Sequence, residues 1–81
     1  MTNLTDKQID LLYQMADIHF QWFQKYSPES KTTYEDVLEL NHIKMMSIIE
    51  GCFDCSDDMI EIIFESIIKD YKEMLDDYKT K

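Results

Sequence analysis

The sequence predicts an all-α protein, a small antiparallel three-helix bundle. Three observations predict it. Apolar residues recur at the three-four spacing of a helical face along most of the 81 residues. Helix-start signatures and one Ser-Pro step divide the chain into three such stretches, at about 5–26, 33–50 and 56–78. The linkers between them, about five to seven residues, favour antiparallel neighbours. All 81 residues are expected to form one helical domain.

The first helix has the clearest start. Thr5-Asp6-Lys7-Gln8 matches a capping box, in which the Thr hydroxyl takes the N3 amide and Gln8 reaches back to the cap's own amide. Leu4 and Ile9 occupy the positions of a hydrophobic staple. Ser27-Pro28 ends the pattern, because proline pushes the residue before it out of the helical region. The second helix offers two starts. Thr32-Thr33-Tyr34-Glu35 reads as another capping box, and Ser27-Pro28-Glu29 suits the first helical positions. A short turn at Pro28 leading into a helix at Thr33 accommodates both. Gly51 is placed as the left-handed residue just past its end. The third helix starts at Ser56, with Asp57 and Asp58 favourable at its positive end and Lys79 and Lys81 at its negative one.

Rotation at 100° per residue separates the helices by how much of each is apolar. In the third, Ile60, Ile63, Phe64, Ile67, Ile68, Tyr71, Met74, Leu75 and Tyr78 fill an arc of ~140°, about one core-facing side. Only Met59 and Ile62 fall off that stripe. The first helix is apolar over roughly 220°, which leaves Asp10, Gln14, Asp17, Gln21 and Gln24 as a narrow polar strip. It is therefore either central in the fold or covered by a second partner. In the second helix, Leu40, Ile43 and Met46 point away from the main stripe of Tyr34, Val37, Leu38, Asn41, Met45, Ile48 and Ile49. If they align with Leu11, Met15, Ile18 and Trp22, the joint patch reaches the few hundred Å² that mark an interface. Leu11→Asp or Trp22→Ala is then expected to abolish binding.

The reactive residue types are few. Cys52-Phe53-Asp54-Cys55 is a C-x-x-C, but Asp54, Asp57 and Asp58 oppose the thiolate that redox catalysis needs. One such pair is half a zinc site. The expected role is two small hydrophobes closing a turn, and a metal-dependent dimer through the pair is the weaker alternative. His19 reads as a core-edge histidine with one satisfied hydrogen bond, and His42 as half-exposed. Asn41, in the middle of a core stripe, can fix register or sit at a polar margin. Nothing in the spacing assembles a nucleophile with its base, an EF-hand or a phosphate loop. No catalysis, no cofactor and no metal is the expectation.

Charge supplies the functional expectation. Eight lysines and no arginine face seventeen carboxylates, for a net charge of −9. That balance repels nucleic acid and attracts basic protein surfaces. It provides neither a basic stripe nor a basic amphipathic face for a membrane. Nine carboxylates fall between Asp54 and Asp77. The expected contact acids are Asp57, Asp58, Glu61, Glu65, Glu73, Asp76 and Asp77. The reading is a non-enzymatic protein-binding regulator of inhibitor, antirepressor or adaptor type, whose apolar helical patch is flanked by those carboxylates. A homodimer is an open alternative. So is a DNA or RNA mimic, because acids three or four apart on a helix lie about 5–6 Å from one another and can occupy phosphate sites. The start of the chain lacks the features of a signal peptide, and no run is long enough to span a bilayer, so the cytoplasm with free thiols is expected. Lysine in place of arginine and a wealth of Ile, Asp and Tyr suggest an AT-rich genome, such as a low-GC bacterium, its phage or a mobile element.

Overall fold

The computed structural model describes residues 4–77, which form three helices: α1 (Asp6–Tyr26), α2 (Tyr34–Gly51) and α3 (Asp57–Asp77). No strand occurs among the described residues. Tyr78, Lys79 and Lys81, assigned from sequence to the end of the third helix, lie outside them.

Local chemistry sets the helix ends. At α1 the Thr5 hydroxyl accepts from the Gln8 amide and Gln8 Oε1 accepts from the Thr5 amide, both at 3.1 Å, which completes the expected box. Ser27 leaves the helical region at φ −140° while its amide still reaches the Phe23 carbonyl at 2.8 Å. A turn follows at Pro28, closed by the Ser30 amide on the Ser27 carbonyl. The second box forms one residue later than expected. Thr33 caps α2 and Asp36, not Glu35, returns the bond at 3.1 Å, because the Thr32 hydroxyl is already engaged with Ser30 at 2.7 Å.

Gly51 does not play the role its type suggested. It is the last residue of α2, and no glycine has positive φ. The helix closes instead by a tightened turn, the Cys52 amide donating to Ile49 at 3.2 Å, so no left-handed residue is needed. A second such turn, Cys55 onto Cys52, leads to Ser56. There the hydroxyl caps the Met59 amide at 3.3 Å and starts α3.

The helices form a three-helix bundle about 40 × 25 × 20 Å, with α1 in the middle. α1 and α3 run parallel, tied at one end by Gln8 to Asp57 and at the other by the Tyr26 hydroxyl to the Leu75 carbonyl. α2 runs antiparallel on another side of α1, and its backbone comes close to that of α3 at few points. The core joins Leu11, Leu12 and Met15 of α1, Met45 and Ile49 of α2, and Ile60, Phe64 and Ile68 of α3.

This geometry accounts for the broad apolar arc of α1, whose two sides face two different helices. Leu11 and Met15, expected on a partner-binding patch, are therefore core residues, Met15 with 0% exposure. Leu11→Asp would place a carboxylate in the core and report on folding, not on binding. The polar strip of α1 is exposed as expected, with Gln14 donating to Asp10 at 2.9 Å and Asp17 accepting from the Tyr34 hydroxyl at 2.8 Å. Partial burial, followed by Asp17, pushes that phenol up to about 12.

Candidate interaction surface

With α1 sandwiched, only Ile9 and Tyr13 of its large apolar residues are exposed, and the most exposed ones are on the other two helices. The five most exposed large apolar side chains among the described residues are Leu40, Ile43, Phe53, Met59 and Ile62, from Leu40 at 52% to Phe53 at 83%. All belong to α2, α3 or the turn between them. Leu40 and Ile43 are three apart on α2, on the side turned away from Val37, Asn41 and Met45. Met59 and Ile62 stand in the same relation on α3, opposite Phe64. Phe53 tips the turn that joins the two helices. It borders a shallow groove of about 290 Å³ lined also by Ile49, Cys52, Cys55 and Ile60.

Of the patch expected from sequence, Leu40 and Ile43 are thus exposed, while Ile18, Trp22 and Met46 are half-buried. Ile18 and Met46 pack against the core cluster. Trp22 lies in a run of rings, 5.5 Å from Phe23 and 5.6 Å from Tyr26 between centroids. Met46 continues the row of Leu40 and Ile43 on α2 but is half-buried, and with Leu11 and Met15 in the core the expected patch is not uniformly exposed. The exposed residues that were missed left a signal in two cases, since Met59 and Ile62 fall off the stripe of α3. Phe53 left a weaker one, as a lone aromatic between two cysteines.

The carboxylates divide along similar lines. Asp57, Glu61 and Glu65 are four apart and share one side of α3. That row follows the seam with α1. Asp57 accepts from Gln8 Nε2 at 3.3 Å, Glu61 is only 8% exposed, and Glu65 meets Lys7 at 3.6 Å. Glu61 is therefore not part of an outward acidic face, and the row is no free phosphate-like strip. Lys69 and Lys72 border the same seam, in a groove of about 410 Å³ floored by Leu11 and Ile68. Asp58, Glu73, Asp76 and Asp77 are exposed on α3, and Glu50 and Asp54 are exposed beside Phe53.

Cys52 and Cys55 are free thiols, half-buried against the core, which is the turn-closing place expected for them. Partial burial, the contact with Cys52 and the Asp54 carboxylate push the Cys55 thiol up. No group of three or more His, Cys, Asp or Glu that could hold a metal occurs among the described residues.

A polar cluster ties the three helices together. Asn41, 1% exposed, donates through Nδ2 to the Val37 carbonyl at 2.8 Å. A carbonyl only accepts, so this bond orients the amide. Its Oδ1 then accepts from the Tyr71 hydroxyl of α3 at 3.0 Å, and its second N–H faces Nδ1 of His19 on α1 at 3.1 Å. Lys44 donates to Tyr71 at 3.5 Å. His19 is packed between the rings of Phe23 and Tyr71, each 4.9 Å away. Burial, then the Lys44 charge, lower its pKa below the ordinary 6.5. An imidazole that accepts at Nδ1 must carry its proton on Nε2 and be neutral. The sequence placed Asn41 in a core stripe but could not name its partners. His42, expected half-exposed, is exposed.

No helix among the described residues is long and apolar enough to cross a membrane. No protein-family model matches the chain, and neither a curated protein nor a solved structure does.

Proposed function

We propose that this chain is a small acidic protein-binding regulator without catalytic chemistry of its own, acting in the cytoplasm. Its contact surface is the α2–α3 end, where Phe53, Met59 and Ile62, with Leu40 and Ile43 on the flank of α2, are bordered by Glu50, Asp54 and Asp58. The observation that carries the reading is Phe53, a phenylalanine 83% exposed at the tip of the α2–α3 turn in a chain of net charge −9. Aromatic and Met side chains are enriched in interface centres and charged residues in rims. Sealing one Phe side chain is worth roughly 2 kcal/mol, about thirtyfold in affinity. The partner this chemistry suits presents an apolar pocket ringed by Lys or Arg. The acids then mainly raise the association rate.

The test is quantitative capture from the native host with the wild-type chain, Phe53→Asp/Ile62→Asp and Leu40→Asp/Ile43→Asp, followed by affinity measurement on the purified partner. The partner should be lost with the first variant, and 0.5 M salt should slow association more than it speeds dissociation. A partner retained by both double variants rules the surface out. Competition by duplex DNA for the same partner would favour the nucleic-acid mimic instead, although burial of Glu61 and pairing of Glu65 give that alternative no particular support.

A further inference from the structure

The turn that carries Phe53 contains two residues that contact chemistry alone leaves unused. Cys52 and Cys55 are both reduced, and both pack against the core cluster beneath the exposed ring. The Cys55 amide donates to the Cys52 carbonyl at 2.9 Å. A turn closed in that way holds its first and last Cα atoms within about 7 Å, and disulfides join Cα atoms about 4.4–6.8 Å apart. No long movement of the chain separates this dithiol from a bond.

We propose that Cys52 and Cys55 form an internal disulfide when exposed to an oxidised low-molecular-weight thiol such as glutathione disulfide, locking the α2–α3 turn beneath Phe53. The Cys52 thiolate attacks one sulfur of glutathione disulfide, forms a mixed disulfide and releases one glutathione thiolate. Cys55 then gives up its proton, attacks Cys52 Sγ and expels the second glutathione. Two protein thiols are oxidised, one small disulfide is reduced to two thiols, and the protons released by the cysteines are taken up by the two glutathiones. The surrounding carboxylates slow the reaction. Asp54 disfavours the Cys55 thiolate, and the acidic surface repels anionic glutathione, so the rate should climb with both pH and salt. These features suit a site that is modified and held, not one that turns over. That the bond controls partner binding rests on the reading of Phe53 given above, whereas its formation does not.

The full chain is equilibrated with reduced or with oxidised glutathione, quenched in acid, alkylated with iodoacetamide and weighed intact. The reduced protein should take two alkyl groups. The oxidised protein should take none, be lighter by two hydrogen atoms, and remain monomeric on a non-reducing gel. Its melting temperature should rise by on the order of 5 °C, since a bridge across even a short loop restricts the unfolded chain. Cys52→Ser should never close internally. Two free thiols after oxidation, a protein that stops at the glutathione adduct, covalent dimers only, or an unchanged melting temperature would each overturn the proposal. A partner indifferent to Phe53 would instead remove the functional reading and leave the disulfide standing.

Discussion

Removing the Asn41 amide should destabilise the bundle far more than one polar side chain ordinarily does. Asn41→Leu keeps the branching and heavy-atom count of the side chain but is bulkier, and it adds apolar surface at a position 1% exposed. It also strips the acceptor from the Tyr71 hydroxyl and the donor from His19 Nδ1. The Val37 carbonyl is less affected, because the helix itself still bonds it. Two partly buried groups left unsatisfied cost roughly 1–1.5 kcal/mol each, and the gained Leu contacts offset part of this, for a net loss of about 2 kcal/mol. For a domain of this size that lowers the melting temperature by roughly 10 °C. Tyr71→Phe should lose about 1 kcal/mol on its own. The double variant should lose less than the sum of the two, since the Tyr71 donor orphaned by the first change is absent. Urea unfolding followed by far-UV circular dichroism at pH 7.5 gives all four corners of the cycle. Additivity within about 0.4 kcal/mol, or an Asn41→Leu protein as stable as the parent, would show that the three helices are not coupled through this amide.

Three other outcomes follow from the same geometry. Stability should fall as pH drops from 7.5 to 5.5, because the folded state holds the His19 pKa below 6.5 and the unfolded chain takes the proton first. The contribution is complete above 6.5 and declines below it, and in His19→Gln, which still offers Asn41 an acceptor, the fall in urea midpoint over this range should shrink. Gly51→Ala should stabilise by up to about 0.5 kcal/mol in the same assay, since φ is not positive and a Cβ there meets no atom within 4 Å; a loss would mean the turn needs glycine after all. Phe53→Ala should leave the urea midpoint within about 0.5 kcal/mol of wild type, as expected of a side chain with little packed around it, and a larger loss would make it a structural residue.

The parts of this fold legible in the sequence are those decided by neighbours along the chain. The Thr5–Gln8 box, the break at Pro28 and the Ser56 start each depend on bonds spanning three or four residues. The Thr33 cap was missed by one position because Thr32 offers the same hydroxyl and only the engagement of Ser30 separates them. The candidate surface was less legible. Leu11, Met15, Leu40 and Ile43 look alike as letters in helical stretches, yet the first two are core and the last two are exposed.

On its own, then, the sequence determined three amphipathic helices, the N-caps of α1 and α3, a net charge of −9 and an apolar arc on α1 too wide for one neighbour. Tertiary structure alone decided that two helices cover that arc within the monomer, that Glu61 lies along a seam, and that Phe53 is left in solvent. Periodicity specifies which side of a helix is apolar. Which sides meet depends on how the helices are placed around one another, and that is a property of contacts between residues far apart in the chain, such as Gln8 with Asp57 and His19 with Asn41.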